Sequence, residues 1–246
     1  MTSDTRAVHK NLKWWDILLL TLMIMGYPVI RSVSGFLLRF CRLGDDSYLH
    51  DLFGDNRVAV VSTSCLFGLA LLYLYLRRYD FSGVKLFLAP EVLFVSIFLF
   101  LAAALMTDVY LLVCHTAGGF FHLSALLGRF EGLLAAKPLP AFEMLSFIYA
   151  IVCGFTEEIF YLGFCLSVSE NKMIPAFIYT QLIRFFSHTD QGVCFALGIA
   201  LIWGTVFYCF YRFYPKASKR NLLPFCIAHV ISSMLGHGIL SYLTVL

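Results

Sequence analysis

Five ionisable residues and one hydroxyl in the second half of this chain stand where charge is expensive. Glu157 and Glu158 lie together in Gly154-Phe-Thr-Glu-Glu-Ile-Phe-Tyr-Leu-Gly163. Arg184 and His188 follow four residues apart, then His229, with Ser233 four residues beyond it. Ionisable groups inside an apolar span usually mark a pathway or a site. Two carboxyl groups held close in a low dielectric cannot share one proton affinity, so one becomes the better base. An imidazole adds a base or a hydrogen-bond donor near neutral pH. Each residue also has a bland reading. The glutamates are then a structural pair or a proton path. His188 is an interfacial histidine beside Asp190, and His229 a core histidine bonded to a backbone carbonyl. Arg184 snorkels to the interface. His237 extends the His229–Ser233 stripe by another turn, nearer the far interface, and is read as bland.

The elements that position these residues are membrane spans. Of 246 residues, 60% are hydrophobic and only 13% charged. A soluble domain is roughly half apolar and a quarter charged, and could not bury this much apolar surface. That excludes a soluble globular enzyme, a disordered chain and an array of small domains. The net charge of +3 is too mild to argue for nucleic acid, so no nucleic-acid partner is expected. The eight cysteines show no CxxC spacing and fall mostly in apolar runs, where they act as small hydrophobes without a disulfide framework.

A spanning helix needs about 20 mostly apolar residues. Segments 58–76, 191–211 and 221–246 carry no charge along their length. Segments 15–33 and 92–115 are good candidates, the latter interrupted by Asp108. Segments 142–167 and 173–188 are long enough and hold the ionisable residues. The expected fold is therefore an all-α, polytopic membrane bundle of seven spans, with the amphipathic segment 121–136 as a surface helix or short eighth element. The basic start, Arg6, Lys10 and Lys13, reads as the flank of a retained first span rather than of a cleaved signal. Placing it in the cytoplasm also puts Arg77, Arg78, Lys85, Lys172, Arg212, Lys216, Lys219 and Arg220 there, the bias of a multi-pass protein with a cytoplasmic N-terminus. Pro138 and Pro140 divide the chain into an N-terminal membrane part, 1–141, and a core carrying the chemistry, 142–246.

Depth follows from the helix rise. Glu157 lies roughly 15 Å from the turn at Ser169–Lys172, His188 roughly 22 Å from it, and His229 and Ser233 roughly 10 and 16 Å from the start of their span. With tilt, the groups can share one layer, which is how sites inside helix bundles are built.

At these residues the chain resembles the CAAX-protease and bacteriocin-processing (CPBP) family of intramembrane proteases, which includes the CAAX prenyl endoprotease. Glu157-Glu158 looks like the family's first motif, EExxxR. His188 takes the place of the histidine in its second motif, FxxxH. Leu222-Leu-Pro-Phe-Cys-Ile-Ala-His229-Val-Ile-Ser-Ser233 looks like its third, HxxxN. The likeness runs from about 142 to the C-terminus. Three positions depart from the pattern: Leu162 stands at the arginine of the first motif, Arg184 at the phenylalanine of the second, and Ser233 at the asparagine of the third.

The resemblance implies peptide-bond hydrolysis inside the membrane. Glu157, with His188, holds and deprotonates water. Glu158 tunes that carboxylate, and His229 and Ser233 donate hydrogen bonds to the oxyanion. It implies either a zinc ion held by Glu157, His188 and His229, or a metal-free glutamate mechanism using the same residues. The expected partners are membrane lipid and a peptide or protein cut near the membrane, as a prenylated tail or an unprenylated leader. The three departures motivate the alternative of a catalytically inactive relative acting as an immunity or binding scaffold. A proton-coupled carrier is disfavoured because no matching pair of broken spans suggests inverted repeats. One geometric expectation is sharp. With Leu162 at the usual cation position, Arg184 should turn inward and pair with Glu158 or Glu157, rather than reach out to Asp190.

Overall fold

The computed structural model describes residues 11–41, 56–117, 143–213 and 221–239. The surface helix expected over 121–136 lies outside the described residues. Eight helices fill the described segments: α1 (Trp14–Ile24), α2 (Gly26–Cys41), α3 (Asn56–Leu76), α4 (Glu91–Ala117), α5 (Met144–Phe164), α6 (Met173–Phe186), α7 (Val193–Phe213) and α8 (Leu223–Leu235). The only strand-like pairing among them is an isolated bridge between Lys85 and Asn221. The protein is an all-α bundle whose outer faces expose large apolar residues, as a membrane protein requires.

Each of the seven expected spans contains a helix in the described residues. Among the described residues, α3, α4, α5 and α7 are long and apolar enough to cross, and α1 with α2 makes a fifth if the bent pair counts as one. The pair bends by 64°. Pro28 has no N–H to give Ile24, whereas the bonds on either side, Met25 N–H to Thr21 and Val29 N–H to Met25, are intact at 2.8 and 2.9 Å. Helix α6 has 14 residues and α8 has 13. At about 1.5 Å per residue each covers only ~20 Å of a ~30 Å hydrocarbon core. Both shortened helices run into non-helical backbone. Such backbone is tolerated at membrane depth only where protein buries it or it lines a cavity.

Polar clasps fix the elements around the site. Asp16 is buried in α1 and accepts from Tyr73 Oη (2.5 Å) and Arg77 Nε (3.2 Å), tying α1 to α3. The Asn221 side chain accepts from the Phe87 N–H (3.2 Å) and donates to the Phe87 carbonyl (2.8 Å), anchoring the start of α8 to the α3–α4 connection. Helix α8 packs along both α5 and α4. At its contact with α5, Gly154 has no room for a side chain: a Cβ would stand 2.9 Å from Val230 Cγ2 and 3.2 Å from the Cys226 carbonyl oxygen. One turn further along α5 come the two glutamates, so this close approach sets how near they come to His229.

Gly154→Ala should therefore force α5 and α8 apart and lower stability by about 1–3 kcal/mol, the usual cost of overpacking. Thermal unfolding in detergent measures it. An unchanged midpoint would show that the helix contact has slack.

Candidate active site

Successive residues on an α-helix point about 100° apart, so Glu157 and Glu158 cannot face the same partners. Glu157 faces a cavity of about 400 Å³. Glu158 turns away from it into the bundle and is fully buried. Immediately after Glu158 the helix widens into a π segment, Ile159–Phe164, with Cys165 N–H bonded five residues back to Phe160 at 2.9 Å. Such local π turns often accompany functional sites. Leu162 lies in this segment, packed in the apolar core.

Glu158 is held from two sides. Arg184 Nη1 and Nη2 both donate to Glu158 Oε1 at 3.1 Å, and Nη2 also reaches Oε2 at 3.1 Å. His229 Nδ1 lies 2.8 Å from Glu158 Oε1. The guanidinium is 3% exposed and lies over the Tyr161 ring, 4.1 Å from its centroid. Arg184 thus turns inward, as expected, and does not pair with Asp190. That carboxylate accepts instead from Ser32 Oγ (2.9 Å), and the Asp190 N–H donates back to Ser32 Oγ (3.0 Å). These bonds stitch α2 to the turn at Thr189–Gln191.

The structure brings Glu157, His188, His229 and Ser233 to the wall of one cavity. His188 reaches it from an unexpected place. Helix α6 stops at Phe186, so His188 lies in the turn beyond (φ −127°, ψ 8°) rather than one helical turn above Arg184. Its Nδ1 lies 3.4 Å from Gln191 Nε2, while its buried Nε2 has no protein partner. Glu157 Oε2 is likewise buried without a protein partner. Ser233 stands exposed on the wall, and its neighbour Ser232 is buried and donates to the His229 carbonyl at 2.8 Å.

The zinc set does not fit this arrangement. Among the described residues, no three histidine, cysteine, aspartate or glutamate side chains close on a point that would hold a metal ion. Glu157, His188 and His229 share a cavity without converging, and His229 Nδ1 is committed to Glu158.

Three contributors escaped the sequence reading. Tyr161 stacks on Arg184 only because α6 is adjacent, which spacing along α5 does not reveal. Ser32 was one of two serines in α2. His237, read as bland, lines the cavity with its ring centroid 6.2 Å from that of His188.

The buried pair generates a test. Arg184→Phe leaves Glu158 charged in the core and should cost about 3–5 kcal/mol, as breaking one side of a buried ion pair does. Adding Leu162→Arg returns a cation one turn after Glu158 and should recover most of that loss. Unfolding midpoints of the single and double variants decide it: a harmless Arg184→Phe, or a double variant no better than the single, contradicts the relocated cation.

Comparison with known proteins bears on the same region. No curated protein and no solved structure matches the chain. Residues 140–235 match the family described as type II CAAX prenyl endopeptidase Rce1-like. The matched stretch covers α5 to α8 and contains Glu157, Glu158, Arg184, His188, His229 and Ser233. Residues 140–235 of this integral membrane chain are therefore similar to the type II CAAX prenyl endopeptidase Rce1-like family.

Proposed function

We propose that this protein is an intramembrane endopeptidase in which Glu157 activates the attacking water. The observation that carries this reading is the division between the two carboxylates. Glu158 is saturated by Arg184 and His229, whereas Glu157 presents an unpartnered oxygen to the cavity beside His188 and His229. A base must have a free lone pair within reach of the water, and of the two carboxylates only Glu157 presents one to the cavity.

The proton inventory supports the assignment. Glu158, ionised by two guanidinium nitrogens, can only accept, so His229 Nδ1 must carry a proton. For His229 Nε2 also to donate into the cavity, the ring must be an imidazolium. The four groups then sum to zero: Arg184 and His229 positive, Glu157 and Glu158 negative. When Glu157 takes a proton from water, the hydroxide adds to the peptide carbonyl and its charge moves to the carbonyl oxygen. The His229 imidazolium faces that oxyanion, with the Ser233 hydroxyl as a second donor. Glu157 then passes its proton to the departing amine and regains its charge. His188 Nε2 helps hold the water. Each step conserves a neutral site, which a low-dielectric interior demands.

The substrate is a peptide bearing its cleaved bond near the membrane, prenylated or not, with lipid as the surrounding partner and the N-terminus on the cytoplasmic side, where the basic flanks favour it. The inactive-scaffold reading rests on Ser233, whose shorter side chain reaches less far than the family's asparagine. The inward Arg184 weakens it, because the cation missing at Leu162 is supplied from another helix.

Purified protein in detergent should cleave members of a mixed peptide library. Glu157→Gln, nearly isosteric, should lower the rate by at least about 10²-fold while the unfolding midpoint stays put. Undiminished cleavage by that variant would remove Glu157 from the mechanism, and an inert parent protein would favour the scaffold.

A further inference from the structure

The short strap beyond α8 is specified more closely than a helix exit requires. Helix α8 stops at Gly236, whose φ of +94° is costly for any residue with a Cβ. Two residues on, a Cβ at Gly238 would run into Asp108 Oδ1. The next backbone N–H, of Ile239, donates to Asp108 Oδ2 at 2.7 Å. Asp108 is only 6% exposed, inside the otherwise apolar α4. A carboxylate there is expensive unless it answers a need. Here it accepts a backbone donor that non-helical chain would otherwise leave unpaired.

Between the two glycines stands His237. Its ring meets Trp203 edge-on at 5.3 Å (79°) and Phe195 at 5.5 Å (87°). It lies on the cavity wall next to His188. An apolar side chain would fill that aromatic box equally well, so the imidazole calls for another explanation. A peptide drawn into a cavity inside the membrane brings backbone N–H and C=O groups that need partners. Groups on one side of an extended chain repeat every second residue, about 6.6 Å apart. The two imidazoles are 6.2 Å apart.

Resting on the peptidase reading, we propose that His237 is a substrate-contacting residue of this site and Asp108 its positioning residue. Asp108 pins the strap, which seats His237 so that it hydrogen-bonds a backbone group of an extended peptide about one two-residue repeat away from the water held at His188. Asp108 and His237 both lie outside the stretch matched to the family.

Two readouts test it. The first is the emission of Trp203 in a Trp14→Phe/Trp15→Phe background, which reports whether His237 is seated. Asp108→Ala and Gly238→Ala should shift the emission as His237→Ala does, whereas Asp108→Asn, which keeps an acceptor for Ile239, should not. The second is retention of library peptides by the Glu157→Gln protein, which needs no turnover. His237→Phe and His237→Ala should each weaken retention about tenfold, the loss expected of one polar contact. Asp108→Ala should match them, and Asp108→Asn should restore binding. Retention by His237→Phe equal to that of the parent would make the residue a filler and overturn the substrate contact. An emission unmoved by Asp108→Ala would overturn the latch. His237-dependent retention with no cleavage by the parent protein would uphold this proposal and reject the peptidase reading instead. Cleavage with retention indifferent to His237 would do the reverse.

Discussion

Everything around the site depends on one fully buried carboxylate being neutralised. Glu158 has no access to solvent, so its charge is sustainable only because Arg184 meets it through both terminal nitrogens and His229 from the other side. That requirement draws three helices together: α5 carries the acid, α6 the guanidinium, α8 the imidazole. The absence of a side chain at Gly154 lets α8 come close enough. The stack of Arg184 on Tyr161 then fills the remaining face of the guanidinium with an aromatic surface. Glu158 serves the architecture, and its neighbour keeps an unpartnered oxygen at the cavity wall.

The same arrangement explains why the adjacent position differs so much in character. One step along the helix is a rotation of about 100°, enough to move a carboxylate from the packed interior to the cavity wall. Adjacent acids in a span are thus not redundant copies. One sets the electrostatic frame and the other faces the space where a ligand would sit. The turn carrying His188 and the strap carrying His237 both leave the helical path to approach that space, and each is tied to a different helix, by Ser32 of α2 and Asp108 of α4.

Much of this was legible in the sequence. Apolar runs located all seven helical segments, because the length and composition of such runs are dictated by lipid. Glu157, Glu158, His188, His229 and Arg184 stood out because charge in those runs demands a reason. The inward turn of Arg184 followed from Leu162 occupying the place of a cation. What stayed hidden were features set by contact across helices. Helix α6 stops at Phe186, two residues short of the expected end at His188, and the turn beyond it is tied to α2 through Asp190 and Ser32. The run after Leu235 is equally apolar, yet Gly236 and Asp108 end the helix. Composition is blind to both, and so the described helices α6 and α8 are shorter than the apolar runs that carry them. The failure of the zinc set has the same origin: three ligands at matching depth need not aim at one point.

The location of the cation also bears on how the chain enters the bilayer. An arginine one turn after Glu158 on its own helix would let acid and base cross the insertion machinery as a neutral pair. Here α5 brings two glutamates without a compensating charge, and each ionised group left alone at mid-membrane costs about 2.5–3.5 kcal/mol. The guanidinium arrives only with α6, across the short connection from Phe164 to Met173. Partitioning of α5 and α6 into lipid together, as a hairpin closed by its own ion pair, avoids that cost.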